Sequence, residues 1–273
     1  MPERQHIVDE LIEERCVHLR RNQVLWAVLR KLLYRALGYK SACAMANQIE
    51  NLNGFQAFEA VSHILNLKLN ITGLHHVPKT GRLVVIADHP TGLADGVAVF
   101  DALKEHRPDL IFLANADALR VVPKGADLII PVEWVLEKRS RETARMTLGG
   151  VKKAMAEERC IVMFPAGKLA SLTINGLKDK PWAATATSLA RKYKAPIAPL
   201  HIRARNSALY YLFCMLNGEL RDITLFYELL NKAGKTFDMT FGPLIEHTHL
   251  PAGAQTAIEY VRQMVTSDLA ITE

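Results

Sequence analysis

The stretch Leu83-Val84-Val85-Ile86-Ala87-Asp88-His89-Pro90-Thr91-Gly92-Leu93-Ala94-Asp95-Gly96 decides how the chain is read. Its first five residues are apolar, and Gly81 and Pro90 bound them, which predicts a short buried strand. From Gly96 to His106 the residues Val97, Phe100, Ala102 and Leu103 form an apolar stripe, which predicts a helix. Strand, Pro/Gly loop and helix make the repeating unit of α/β sheets, and ligands bind such sheets outside the C-terminal ends of the strands. His89 and Asp95 fall in that loop. An imidazole held by a carboxylate on one nitrogen keeps the other for proton transfer. Asp95 serves equally well as a cap for the following helix, and the two roles are not separable from these residues alone.

A second segment repeats the pattern. Val162-Met163-Phe164-Pro165-Ala166-Gly167-Lys168-Leu169-Ala170-Ser171 is again an apolar run entering a Pro/Gly loop. Two such loops suit the two walls of one site. Further strands are expected near 67–72, 109–114, 127–132, 196–202 and 236–241. Helices are expected near 3–21, 54–65, 140–157, 182–193, 207–217, 221–231 and 252–267. The alternation predicts an α/β fold whose sheet is covered by helices on both faces.

With 273 residues, 49% of them hydrophobic, the chain buries a full core, and one α/β domain with a helical N-terminal extension fits better than two equal domains. Residues 1–66 are expected to form a helical, membrane-associating region and residues 67–273 the domain that carries the site. No apolar run reaches the ~18 uncharged residues of a spanning helix. Between Arg20 and Ile49 there are six basic residues, Arg20, Arg21, Arg30, Lys31, Arg35 and Lys40, and no acidic one. Leu25, Val28, Leu29 and Leu32 follow helical spacing there, and Trp26 and Tyr34 suit a membrane interface. Such a helix lies in an anionic leaflet, or it packs on the domain with a solvated basic edge; both readings stand.

The net charge of +6 fits a membrane surface or acidic ligands, and without base-stacking motifs nucleic acid is not an expected partner. Cys16, Cys43, Cys160 and Cys214 are far apart and read as buried thiols of a reducing compartment. The polar start Met1-Pro2-Glu3-Arg4 is unlike a secretory leader. His75-His76 and His247-Thr248-His249 lack the further ligands a metal needs, so no metal is expected. Neither a serine-hydrolase elbow nor a nucleotide-binding glycine motif is present.

Together the two loops resemble those of the phospholipid/glycerol acyltransferase family, and most of all its bacterial branch often labelled hemolysin-like. That family carries His-x4-Asp after a strand and later a Phe-Pro-Glu-Gly-Thr-Arg-Ser-like block. The likeness runs from about Ile71 to about Ile245 and takes in Phe112-Leu113-Ala114-Asn115 and Lys194-Ala195-Pro196-Ile197-Ala198-Pro199-Leu200. The chain departs from the pattern in several places. Its spacing is His-x5-Asp, and Ala166, Lys168, Leu169 and Ala170 stand where the family has Glu, Thr, Arg and Ser. Near the family's other arginine it reads Ile129-Ile130-Pro131-Val132-Glu133.

The resemblance implies a single mixed β-sheet and an acyl transfer from acyl-CoA or an acyl-carrier protein to a hydroxyl or amine of a lysophospholipid-like or other polar lipid. It assigns the general base to His89, oriented by Asp95, and substrate binding to Gly92, Phe164, Pro165 and Gly167; Lys168, Arg139 and Arg141 are the cations that could take over substrate binding from the family's missing arginines. Backbone N–H groups around Gly92 or Gly167 are the expected oxyanion donors. The thioester is a co-substrate, and no resident cofactor is implied. The expected location is peripheral, on the cytoplasmic face of a membrane. Without the two arginines that grip a phosphate, the expected acceptor is not a simple phosphomonoester. An idle membrane-binding module of the same fold, or an acyl-thioester hydrolase in which His89 activates water, would use the same residues.

Overall fold

The computed structural model describes residues 5–133, 140–167, 171–173, 176–178 and 181–271. Helices α1 (Ile7–Arg15), α2 (Gln23–Ala36), α3 (Tyr39–Ile49) and α4 (Gly54–Leu65) come first. The sheet strands are β1 (Lys68–Thr72), β2 (Leu83–Ala87), β3 (Ile111–Asn115), β4 (Ile129–Val132), β5 (Cys160–Met163), β8 (Ile197–Arg203) and β9 (Thr236–Phe241). A separate hairpin, β6 (Ser171–Thr173) and β7 (Gly176–Lys178), follows β5. The remaining α-helices are α5 (Leu93–Leu103), α6 (Asp117–Val121), α7 (Arg141–Ala156), α8 (Thr185–Tyr193), α9 (Ala208–Leu216), α10 (Gly218–Ile223), α11 (Leu225–Leu230) and α12 (Ala254–Gln263), which runs through a π turn (Met264–Asp268) into α13 (Leu269–Ile271).

The seven strands lie in the order β1-β9-β8-β2-β5-β3-β4. All neighbours are parallel except β8 and β9, so β9 and β1 run against the other five. The sheet is therefore single and mixed. Central β2 is buried at every residue, as a parallel strand covered on both faces should be. Its side chains alternate between two cores. Val84 and Ile86 pack with residues of α7, α8 and α12 on one face; Leu83, Val85 and Ala87 pack with α3, α4 and α5 on the other.

The N-terminal helices belong to that second core. Val8, Leu11, Ala42, Met45, Ile49, Ala57 and Leu65 are buried in it beside β2. A reciprocal cap of Asn53 and Gln56 starts α4. The basic segment from Arg20 to Ile49 is two helices, broken at Gly38, whose φ of 66° ends α2. Trp26 is buried and Tyr34 stacks on Tyr39, so neither aromatic is an interfacial anchor. Val24, Val28 and Leu32 instead face outward, at 77%, 53% and 62% exposure. Only Cys16 and Cys160 are fully buried thiols, each pushed up to about 12 chiefly by desolvation; Cys43 and Cys214 are half-buried.

Candidate active site

Ile86 of β2 stands level with Met163 of β5 and with Pro199 of β8. The chain therefore leaves β2 and β5 side by side, at the C-terminal ends where α/β sheets bind ligands. His89 follows β2 and Phe164 follows β5, and their rings stack with centroids 4.3 Å apart and planes 26° apart. The contact fixes the imidazole from one side. His89 stays 21% exposed at its side chain, and its Nε2 makes no hydrogen bond to a described residue.

Asp95 approaches the imidazole at Nδ1. It is fully buried in the first turn of α5, with Oδ2 2.9 Å from His89 Nδ1. The N–H direction at Nδ1 is out of line, so the pair is at hydrogen-bond distance without hydrogen-bond alignment. Such bonds commonly tighten only as substrate binds. Asp95 accepts the N–H of Thr91 at 2.9 Å, the N–H of Gly92 at 2.8 Å and the Thr91 hydroxyl. It is thus a helix cap and a partner of His89 at once. The longer spacing is absorbed at Gly92, whose φ of 91° and ψ of −124° suit glycine alone. Helix α5 accordingly starts at Leu93, three residues before the stripe that begins at Gly96.

The other sequence-derived site residues divide. Pro165 is buried beside Phe164, and Gly167, at φ 60°, closes the turn by donating its N–H to the Phe164 carbonyl at 3.1 Å. Lys168 and Arg139 lie outside the described residues. Arg141 opens α7 behind a Ser140 cap and is exposed. Its helix packs on β4, three strands from β2, roughly 14 Å at ordinary strand spacing. Arg141 is not gathered to the His89–Asp95 pair. The N–H groups of Gly92 and Gly167 themselves are both spent, on Asp95 and on the Phe164 carbonyl, so an oxyanion donor around either glycine has to be a neighbouring N–H.

Several residues here carry little or no sequence signal. Thr91 holds Asp95 through both its N–H and its hydroxyl. Asp88 faces away from His89 and meets His201 of β8. Beneath α5, Glu228 takes the N–H and hydroxyl of Ser207 and the Nζ of Lys232. Burial lowers the Lys232 ammonium below the usual lysine value, and Glu228 pulls it partly back. Only the i, i+4 spacing of Glu228 and Lys232 hinted at that pair.

Residues 68–203 match the model of a protein family described as Acyltransferase. The lyso-glycine lipid O-acyltransferase of Phocaeicola vulgatus is 30% identical over 200 residues, 71% of this chain and 70% of that protein. The protein of the same name from Bacteroides thetaiotaomicron is 28% identical over 228 residues, 80% of this chain and 82% of that one. In fold, the chain is similar to the crystal structure of the 1-acyl-sn-glycerophosphate acyltransferase PlsC from Thermotoga maritima. The TM-score is 0.52 at 13% identity, over 95% of this chain and 96% of that one. A strand-end His–Asp pair on this mixed sheet fits an enzyme of acyl transfer. The chain belongs to the acyltransferase family.

Proposed function

We propose that this enzyme moves a fatty acyl group from a thioester, acyl-CoA or an acyl-carrier protein, to a hydroxyl of a lysolipid at an anionic membrane surface. The observation that carries the reading is the 2.9 Å approach of Asp95 to His89 Nδ1, with Nε2 left to the substrate. Nε2 takes the proton of the acceptor hydroxyl as its oxygen attacks the thioester carbonyl carbon. Asp95 fixes the tautomer and stabilises the imidazolium. The tetrahedral intermediate collapses, the C–S bond breaks, and the imidazolium returns its proton to the departing thiolate. No Ser or Cys side chain hydrogen-bonds to His89 among the described side chains, which favours direct attack over an acyl-enzyme. The next N–H groups along the chain, of Leu93 and Ala94 in the first turn of α5, are left to take the oxyanion.

The acceptor reading draws on the two relatives, whose names specify O-acylation of a lyso-glycine lipid. Glycine joined to a lipid through its amine leaves a carboxylate as head group. A single negative charge agrees with Leu169 standing where the family has a phosphate-gripping arginine. Membrane attachment draws on the exposed face of α2, where Val24, Val28 and Leu32 alternate with Lys31 and Arg35. No helix among the described residues is long and apolar enough to cross a membrane.

One experiment tests the reading. The pure protein is incubated with radiolabelled acyl thioester and a panel of hydroxyl-bearing acceptors: an N-acylglycine, lysophosphatidic acid and a zwitterionic lysolipid. Labelled ester on the N-acylglycine is the expected product. Free fatty acid alone would mark a hydrolase, and an unconsumed thioester an idle fold.

A further inference from the structure

A pocket of about 400 Å³ lies between the loop after β8 and the turn that joins α11 to β9. We propose that it holds the head group of the acceptor, a carboxylate with a neighbouring amide N–H, as in an N-acylated amino acid. The assignment rests on the lysolipid reading above and gives that acceptor its binding residues.

Asn206 is the first ground. It lines the pocket at 7% exposure, and neither its Oδ1 nor its Nδ2 has a hydrogen-bond partner. A buried amide left open on both its donor and its acceptor asks for a ligand that supplies both. A carboxylate accepts from Nδ2, and an amide N–H donates to Oδ1. A phosphomonoester dianion has no donor for Oδ1.

Charge is the second ground. Arg205, Lys232 and Lys235 line the same pocket. The one carboxylate among them and their immediate partners, that of Glu228, is already engaged by Ser207 and Lys232. Among the described residues Arg205 and Lys235 have no ion-pair partner. The excess is positive, and a guanidinium offers a carboxylate two parallel donors.

Placement is the third. β8 is the strand beside β2, and Asp88 accepts the N–H of Ile202 at 2.8 Å, so Arg205 and Asn206 leave the sheet on the rim that carries His89. The opposite wall is the turn that follows α11, a helix that packs on α5, the helix of Asp95. Lys232 lies within electrostatic reach of Asp95. The pocket therefore opens on the same rim of the sheet as the base, one strand over from it.

The test is equilibrium binding of palmitoylglycine, of its methyl ester and of coenzyme A to the full chain. Wild type is expected to bind the acid roughly 10- to 100-fold more tightly than the ester, the worth of charge-assisted hydrogen bonds. The double variant Arg205→Gln, Lys235→Gln changes only exposed side chains and should close that gap. Asn206→Leu should weaken acid and ester alike, since both carry the amide N–H. Equal binding of acid and ester by wild type overturns the site, as does a gap that survives the double variant. A variant that weakens coenzyme A but not palmitoylglycine overturns it too, and gives the pocket to the donor. None of these readings needs turnover. A site that binds as expected in a protein that forms no ester would sink the function and leave the site standing.

Discussion

Asp88 Oδ2 lies 2.7 Å from His201 Nδ1, and Oδ1 of the same carboxylate accepts the N–H of Ile202 at 2.8 Å. Asp88 therefore ties the end of β2 to β8, while its neighbour His89 turns the other way, to Asp95. Two adjacent residues serve two separate pairs. The carboxylate next to His89 in sequence is not the one that meets it in space.

This division has a measurable consequence. Asp88→Asn keeps an acceptor for the Ile202 N–H and removes the charge that faces His201. It should cost about 1–2 kcal/mol of stability. In a domain of this size that lowers Tm by roughly 2–8 °C. Activity should fall less than about 10-fold, because the base keeps its own carboxylate. Thermal melts and steady-state rates check both numbers. A loss of turnover as deep as that of Asp95→Asn would reassign the orienting carboxylate to Asp88.

Membrane attachment is best tested within α2. Deleting the N-terminal helices would open the core, because α1, α3 and α4 are built into it. Val28→Asp with Leu32→Asp alters exposed positions only. Each apolar side chain withdrawn from a lipid surface loses about 1.5–3 kcal/mol, so anionic vesicle binding should weaken at least ~10-fold per residue. High salt should weaken wild type as well, since part of the attraction is screened charge. Vesicle flotation that is unchanged in the double variant would show that this face is covered by something other than lipid.

The fold has its own pH signature. Arg107 is fully buried, donates to the carbonyls of Pro78 and Gly81, and pairs with Asp109 at 2.6 Å. Partial burial raises the Asp109 carboxyl, but the Arg107 hydrogen bonds and charge outweigh it and hold it below its ordinary value of 3.8. A depressed carboxyl stabilises the native state above its unfolded value and loses that contribution as pH falls through the folded one. Urea titrations should show this stability fading below about pH 4. Asp109→Asn should cost about 1–3 kcal/mol at pH 7, with a smaller loss in acid. An identical slope in wild type and variant would contradict the assignment.

How much of this was legible in the sequence depends on whether a residue's partner is near it in the chain. All seven sheet strands fall within about two residues of the runs that predict them, since β-branched and aliphatic stretches between Gly and Pro have few alternatives. The contact of His89 with Asp95 was readable as a hypothesis because both lie in one loop. What Gly92 does there needed its dihedrals. Phe164 was readable as the second wall, yet the stacking depends on the level of Ile86 with Met163, which no local pattern encodes. Asp88–His201 and the Asn206 pocket depend on β8 lying beside β2, a pairing across more than 100 residues. Trp26 was misread because amphipathic spacing does not say which face of a helix is covered.

The central claim is that His89 is the base of an acyl transfer, and the most direct measurement is kcat/KM of His89→Ala with an acyl thioester and a hydroxyl-bearing N-acylglycine. The residue sits in a strand-end loop and contributes little to the core, so the variant should fold and melt close to wild type. Its kcat/KM should fall by roughly 100- to 10,000-fold, the usual worth of general acid–base catalysis. A folded His89→Ala protein that turns over within a few-fold of wild type would contradict the account.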